Sequence, residues 1–384
     1  MKKITGLILT VVLMLSVISV NVYAKELPDM KVEINAKSAV LMEASTGEIL
    51  MSKNAHEKVY PASVTKIMSL LLVTEAIDQG KIALTDTVTA SAEASKMGGS
   101  QIWLKQGEQM TVDDLLKATA IASANDACFA LGEYVAGSDT AFVKMMNDKA
   151  KELGMNDTVF ENCSGLDDTV QNHITSAYDV AVMSRELLKH ERIRNYTTVW
   201  MDTLRGGETQ LVNTNKLIRF YKGATGLKTG TTSKAGCCVS ATAERDGLSL
   251  IAVVMGSDSS NDRFSGARAM LDWGFANYSL AELSVDPALI TNVNIIGGEQ
   301  DKISPIVSEK KFAVIEKGKE DKITFVPDLA IDVEAPIEKN QVLGTVRFML
   351  EDKEIGKINL CSPEAVKKLT FSDYLVRFLT SLCR

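Results

Sequence analysis

Apolar residues recur at helical spacing through the middle of the chain, and in short β-like runs towards both of its ends. The helical stretches cover residues 63–80, 111–137, 138–154, 175–190 and 262–278, and three of them stop at a glycine. The first is apolar almost all round, which predicts a buried helix, whereas 138–154 has one apolar face and predicts an amphipathic helix. In 111–137, a polar Ser-Ala-Asn-Asp sequence falls in the middle of the apolar pattern.

Strand patterns precede and follow this helical block. Residues 37–61 predict two strands around a turn at 45–47, and further strand-forming sequence begins after Gly223. Within it, two apolar runs flank Asp246-Gly247, a dipeptide typical of a tight hairpin turn. Helices in mid-chain with strands on both sides predict an α/β (α+β) body in which one sheet joins the N-terminal strands to the later ones.

The pattern of apolar and polar residues changes again from about Ser284, where short β-like runs alternate with turn residues. This predicts a separate small all-β domain, for which we assign residues 281–363. Residues 364–384 contain an apolar stripe at helical spacing with basic residues flanking or opposing it, and they predict an amphipathic helix that associates with a membrane surface. The alternative is a helix docked on its own β domain.

The N-terminus has the parts of a secretory signal peptide. Lys2 and Lys3 precede an uncharged apolar run, and a small residue, Ala24, follows at the expected cleavage site. We therefore expect residues 1–24 to be removed and the protein to be exported to the outer face of the cytoplasmic membrane. A retained N-terminal anchor is the alternative, and it gives the same side of the membrane.

Composition narrows the possible functions. The 384 residues carry a formal net charge of −7, which argues against a nucleic-acid partner. Three histidines are present, and the sequence contains no metal-binding or nucleotide-binding motif, so we expect no metal and no cofactor. Six irregularly spaced cysteines in an exported chain leave both disulfides and buried thiols open.

Three short motifs carry candidate chemistry. Ser63 and Lys66 are three residues apart at a helix start, where a serine nucleophile needs a base and the helix N-terminus favours developing negative charge. Ser123 and Asn125 are the polar residues inside the apolar helical pattern, and Lys228-Thr229-Gly230 lies on a presumed strand. Each motif alone has an ordinary structural explanation: a helix cap, a satisfied interhelical hydrogen bond, or an exposed lysine. In this order, however, the three are the set found in penicillin-binding proteins and serine β-lactamases.

The sequence resembles the low-molecular-mass penicillin-binding proteins that act as serine D-alanyl-D-alanine carboxypeptidases. The similarity covers roughly residues 37–278 and includes the blocks PASVTKIM, GGSQIWLKQGEQMTVDDLLKATAIASANDAC, HITSAYDVA, NTNKLI and GATGLKTGTTSKAGCCVSATAERDGLSLIAVVMG. It implies a penicillin-binding/β-lactamase-like transpeptidase fold with residues 25–280 as the catalytic domain, followed by the small β domain and the terminal helix.

The resemblance also implies roles for individual residues. Ser63 is the acylated nucleophile, Lys66 its proton acceptor, and Ser123 relays a proton to the leaving D-alanine. The remaining residues bind substrate: Asn125 holds its amide, Lys228 keeps the field positive, Thr229 hydrogen-bonds its carboxylate, and Gly230 completes the motif. Backbone N–H groups of Ser63 and Thr231 form an oxyanion hole, and Arg263 aligns with an arginine near the carboxylate.

The implied substrate is a peptidoglycan stem peptide ending in D-Ala-D-Ala, and β-lactam antibiotics are the implied covalent inhibitors. A serine β-lactamase shares the three motifs but needs a glutamate to activate the deacylating water, for which Glu161 is the nearest candidate. A non-catalytic peptidoglycan-binding protein is the other alternative. A Ser-His-Asp hydrolase lacks support because no G-x-S-x-G motif is present.

Overall fold

A computed structural model describes residues 27–168 and 170–382. The expected signal peptide, Cys383 and Arg384 lie outside the described residues. The helices are α1 Lys66–Asp78, α2 Val112–Ile121, α3 Asn125–Ala136, α4 Asp139–Glu152, α5 Ala177–Leu188, α6 Arg194–Thr197, α7 Leu217–Phe220, α8 Ser260–Asn277 and α9 Phe371–Leu382. Within the described ranges, no helix is both long enough and apolar enough to cross a membrane.

The strands of the N-terminal region are β1 Ser38–Glu43, β2 Ile49–Lys53, β3 Thr87–Thr89, β4 Gln109–Thr111, β5 Met201–Leu204, β6 Thr209–Val212, β7 Ala224–Thr232, β8 Gly236–Arg245 and β9 Leu248–Ser257. Five of them form an antiparallel sheet in the order β2-β1-β9-β8-β7. The predicted sheet that joins the N-terminal strands to the later ones is therefore present. At the predicted hairpin, Asp246 and Gly247 both have positive φ, as a tight turn between β8 and β9 requires.

Both faces of this sheet are covered, because successive side chains of a strand point to opposite sides. On β9, Ile251 and Val253 pack into a core shared with α1 to α5, while Leu250, Ala252 and Val254 pack against α8. Burial on both sides explains why β9 reads as a continuous apolar run rather than as an alternating pattern.

Four of the helices, α2, α4, α5 and α8, begin where the sequence supplies a capping side chain. Thr111, Ser138, Ser176 and Ser259 each accept a hydrogen bond from the backbone N–H three residues later, and α3 ends at Gly137 with φ of 81°. The single helix expected over 111–137 is in fact two, α2 and α3, separated at Ser123.

The C-terminal region consists of β10 Tyr278–Leu283, β11 Val293–Ile296, β12 Lys302–Ile303, β13 Ile306–Val307, β14 Lys311–Glu316, β15 Ile323–Leu329, β16 Asp332–Glu334, β17 Val342–Leu350 and β18 Lys353–Cys361. Strands β13, β18, β17 and β15 form a four-stranded sheet that shares one apolar cluster with the β10–β14 pair. The three-stranded sheet β12-β11-β16 contributes to a second cluster. After β18 the chain returns along this domain, where Val366 bridges to Ile337 and Lys368 to Gly298, before α9 begins at Phe371.

The five cysteines within the described ranges are buried free thiols, so the open question of disulfides is answered for those five.

Candidate active site

Ser63 lies in a 3-10 turn, Ala62–Thr65, that leads directly into α1. The α-helical hydrogen bonding begins at Lys66, so the expected helix start at Ser63 is a tighter turn instead. Ala62 has φ of 48°, which is uncommon for a residue with a side chain. The turn leaves Ser63 partly accessible while Lys66 is fully buried, and Lys66 Nζ lies 2.9 Å from Ser63 Oγ.

Two further oxygens surround Lys66 Nζ. Asn125 Oδ1 is 2.5 Å away and the carbonyl oxygen of Ser164 is 2.8 Å away. The orientation of the Asn125 amide is set by its Nδ2, which donates to Gly98 O at 2.7 Å. Because the ammonium form loses its hydration in this cavity, burial lowers the pKa of Lys66 from 10.5 to about 8.

Ser123 is placed by the break between α2 and α3. It adopts the left-handed conformation with φ of 63°, and Asn125 then starts α3 with its backbone N–H donating to Ser100 O at 2.7 Å. A continuous helix could not present both side chains to one cavity in this way. The polar residues that interrupted the apolar pattern therefore have partners, and the price of burying them is offset by those hydrogen bonds.

Lys228 reaches the same cavity from strand β7. Its Nζ donates to Ser123 Oγ at 2.8 Å and to its neighbour's carbonyl, Thr229 O, at 3.1 Å. Burial, and then the nearby charge of Lys66, hold the pKa of Lys228 well below its usual range. Two lysines within one buried cavity repel each other, so losing a proton from one stabilises the charge on the other.

Gly230 allows β7 to run directly beside Ser63. A Cβ atom there would lie 2.9 Å from Pro61 O, from Ser63 N and from the Cβ of Ala62, and the first two are backbone atoms. On either side of it, Thr229 Oγ1 donates to Thr214 Oγ1 at 2.7 Å and Thr231 is exposed. This close approach is a physical reason for glycine in the third position of the motif.

Arg263 packs against β7 from helix α8 and is almost fully buried. Its Nη1 donates to Gly230 O at 2.9 Å, to Thr231 Oγ1 at 2.8 Å and to Cys238 O at 3.2 Å. All nine residues that the sequence assigned to the site, Ser63, Lys66, Ser123, Asn125, Lys228, Thr229, Gly230, Thr231 and Arg263, thus belong to one connected set of contacts around β7, α1 and α3.

Sequence reasoning missed the segment around Ser164. Asn162 Oδ1 accepts hydrogen bonds from the backbone N–H groups of Ser164 and Gly165, which holds the turn that offers the Ser164 carbonyl to Lys66. Gly165 has φ of 86°, and a Cβ atom on it would lie 1.8 Å from Ala62 O. The isolated glycine in Asn-Cys-Ser-Gly-Leu was the signal that could have identified this turn.

The carboxylate of Glu161 binds backbone N–H groups outside the contacts around Lys66. It accepts hydrogen bonds from the backbone N–H groups of Gln171 and Asn172, both at 3.1 Å. The backbone N–H of Glu161 donates to His173 Nδ1 at 3.0 Å, so His173 carries its proton on Nε2, 2.8 Å from Thr65 Oγ1. Burial lowers the pKa of His173 to about 4, so this histidine is a neutral support for the residue before Lys66.

Comparison with known proteins places these features in a family context. A family model described as D-alanyl-D-alanine carboxypeptidase matches residues 23–259, and the model of the C-terminal domain of penicillin-binding protein 5 matches residues 280–368. The chain is 42% identical to the D-alanyl-D-alanine carboxypeptidase DacF of Bacillus subtilis, over 89% of this chain and 88% of that protein.

Solved structures agree with the sequence relatives. Penicillin-binding protein 5 from Haemophilus influenzae superposes with a TM-score of 0.79 at 30% identity, covering 88% of this chain and 99% of that one. Penicillin-binding protein D2 from Listeria monocytogenes, in its ampicillin-bound form, covers 64% of this chain and 100% of its own, with a TM-score of 0.59 at 31% identity. The resemblance inferred from the motifs is confirmed, as are the penicillin-binding fold and the C-terminal β-rich region.

Proposed function

Because this chain belongs to the family of serine D-alanyl-D-alanine carboxypeptidases, we propose that Ser63 removes the terminal D-alanine from peptidoglycan stem peptides through an acyl-enzyme. Ser63 Oγ attacks the carbonyl carbon between the two D-alanines, the C–N bond breaks, and D-alanine leaves with the proton that Ser63 lost. Water then attacks the ester, releasing the shortened peptide and restoring the serine.

The observation that carries this proposal is the set of three oxygens around Lys66 Nζ. A neutral amine has two N–H donors and one lone pair. Asn125 Oδ1 and Ser164 O can only accept hydrogen bonds, so they accept one from each of the two N–H groups of the amine. The lone pair is then left facing Ser63 Oγ at 2.9 Å, which is the geometry of a general base on a hydroxyl.

The leaving group needs a proton, and Ser123 is the group we assign to deliver it. Its hydroxyl is held by Lys228 Nζ at 2.8 Å, across the cavity from Lys66. Binding of the carboxylate of the terminal D-alanine favours the charged form of Lys228, which then supplies positive charge for it, and Thr229 Oγ1 supplies a hydrogen bond. Asn125 has two N–H donors and Gly98 O takes one, so the other can bind the substrate's amide carbonyl.

The oxyanion that forms during attack needs donors that are already in place. We assign the backbone N–H groups of Ser63 and Thr231 to this role, since Gly230 brings β7 against the nitrogen of Ser63. Arg263 donates to Gly230 O and Thr231 Oγ1, so it positions this part of the strand and adds charge on the carboxylate side.

Penicillins would acylate the same serine. A relative with the same fold, penicillin-binding protein D2 of Listeria monocytogenes, has been solved in an ampicillin-bound form. The carboxylate of Glu161, the nearest candidate for a deacylating base, is bound to backbone N–H groups instead. We therefore expect the penicilloyl ester on Ser63 to persist rather than turn over.

Intact-mass spectrometry after incubation with benzylpenicillin, together with D-alanine release from a peptide ending in D-Ala-D-Ala, tests the assignment. Wild-type protein should hold one penicilloyl group on Ser63, and Ser63→Ala should lose both the adduct and at least about 10⁴-fold of the D-alanine release. Ser265→Ala, at an exposed position of α8, is the matched control. D-alanine release by Ser63→Ala at the wild-type rate would overturn the proposal, and a wild-type protein inert to both compounds would indicate a binding protein.

We also propose that α9 rests on the outer surface of the cytoplasmic membrane. Its exposed side chains include Phe371, Val376 and Leu379, and exposed aromatic and aliphatic residues on one short helix are typical of interfacial binding. Arg377 ties the helix to the β domain through Asp301 at 2.8 Å and Glu299 O at 2.6 Å. A helix tied to the β domain through its middle in this way would orient the catalytic region relative to the membrane. Co-sedimentation with anionic vesicles measures the association directly.

A further inference from the structure

Trp103 is presented to solvent in an unusual way. Its side chain is 74% exposed, although its neighbours Ile102 and Leu104 are buried. Its φ is +62°, a conformation that bulky side chains rarely adopt and that costs about 1–3 kcal/mol. Such strain persists only where the surrounding structure imposes it, and it is concentrated at functional sites.

The strain at Trp103 is imposed from both sides. The buried carboxylate of Asp126 accepts hydrogen bonds from the backbone N–H of Ile102 at 3.2 Å and of Leu104 at 3.0 Å. Arg205 Nη1 donates to Ile102 O at 2.9 Å. With the residues before and after it fixed and turned inward, the indole ring has to point outward.

The ring borders a cavity of about 670 Å³, which is within the ~300–1,000 Å³ range of small-ligand pockets. Its polar lining is supplied by Lys105, Gln106, Glu108, Arg205 and Thr209. Arg205 and Glu108 pair at 2.7 Å and so neutralise each other. The lining therefore offers this ion pair, the ammonium of Lys105, an amide and a hydroxyl next to an aromatic face. That combination suits a carbohydrate, whose ring stacks an apolar face on an aromatic side chain and hydrogen-bonds through its hydroxyl groups.

The segment that carries Trp103 is joined to the active site by a short stretch of backbone. Gly98 O and Ser100 O both bind Asn125, which in turn contacts Lys66. Trp103 follows Ser100 by three residues, a span of at most ~11 Å. In peptidoglycan, four stem residues separate the scissile bond from the aminosugar, and four extended residues reach ~14 Å. Ser100 lies against Asn125, which we assign to hold the substrate's amide, so a stem peptide that runs from Asn125 along this segment can bring its sugar to Trp103.

We propose that Trp103 is a stacking platform for the N-acetylated aminosugar that carries the stem peptide. The inference rests on the proposed function, because the sugar is brought to Trp103 by a peptide whose end lies at Ser63. It assigns a glycan subsite to this enzyme and implies that glycan-linked pentapeptide is preferred over the same peptide without its sugar.

The test compares kcat/KM for D-alanine release from a disaccharide-linked pentapeptide and from the N-acetylated pentapeptide alone. Wild-type protein should favour the glycan-linked substrate by about 2- to 12-fold, since one aromatic stacking contact is worth roughly that much. Trp103→Ala should bring the ratio close to one, and Trp103→Phe should retain part of it. Phe312→Ala removes an exposed aromatic side chain of the β domain and should keep the wild-type ratio.

Trp103→Gly provides a second variant that relieves the positive φ, so the ratio can be measured even if Trp103→Ala folds poorly. A wild-type ratio near one, or a Trp103 variant that lowers both substrates by the same factor, overturns the inference. In either case penicilloyl labelling of Ser63 and D-alanine release from the sugar-free peptide still report on the proposed function. The two proposals therefore fail separately.

Discussion

The rate at which penicillin acylates Ser63 should rise with pH as Lys66 loses its proton. As a base, Lys66 is active only without its proton, so activity is lost as the pH falls below its pKa. Burial lowers that pKa from 10.5 to about 8. At pH 7 the neutral fraction then becomes about 9% instead of about 0.03%, a gain of roughly 300-fold.

The expected profile follows from these fractions. Between pH 5 and 7 the second-order acylation rate should increase about tenfold per pH unit, and it should level off above about pH 8. Because Lys228 lies in the same cavity and interacts with Lys66, the measured midpoint belongs to the pair. The assay is the rate of labelling by a fluorescent penicillin in buffers of constant ionic strength, with circular dichroism at each pH to confirm that the protein stays folded.

The variant Asn125→Asp tests whether the titration of Lys66 causes the pH dependence of acylation. It replaces an amide oxygen 2.5 Å from Lys66 Nζ with a carboxylate, which favours the ammonium form. An opposite charge at this distance raises a lysine pKa by about 1–3 units, so the midpoint should move upward by that amount. The position of the midpoint is compared, because the amplitude also reflects altered substrate binding. A profile that is flat from pH 6 to 9, or an unchanged midpoint in Asn125→Asp, would refute the assignment of Lys66 as the base.

Two further perturbations test other parts of the molecule. Gly230→Ala places a Cβ atom 2.9 Å from two backbone atoms beside Ser63, so the rate of acylation by penicillin should fall by about 10²-fold as β7 shifts. Acylation at the wild-type rate would show that the close approach is not needed. Deleting residues 370–384 removes α9 but keeps Val366 in the core of the β domain. When anionic vesicles are pelleted, the truncated protein should remain in the supernatant, and its activity on soluble peptide should be retained. Continued co-sedimentation of this truncated protein would place the membrane contact elsewhere.

The elements followed from local sequence to different degrees. The long apolar helices, the β1–β2 pair and the hairpin at Asp246-Gly247 were readable because each is specified by residues close together in the chain. The break at Ser123 was not, since residues 111–137 have helical composition throughout. Contacts from outside that segment decide it: Ser100 O accepts a hydrogen bond from the backbone N–H of Asn125, and Lys228 Nζ donates one to Ser123 Oγ.

The sequence alone determined the class of chemistry, because it contains three motifs, in a fixed order, with the residue types that an acyl-transfer site needs. It could not determine how those residues meet. Lys66 Nζ is held beside Ser63 Oγ by contacts with two oxygens that lie 59 and 98 residues away along the chain, and the pKa of Lys66 is lowered by burial. The outward display of Trp103 likewise depends on Asp126 and on Arg205, which lies 103 residues from its contact at Ile102. Desolvation and long-range hydrogen bonding are properties of the packed molecule, and only the tertiary structure decides them.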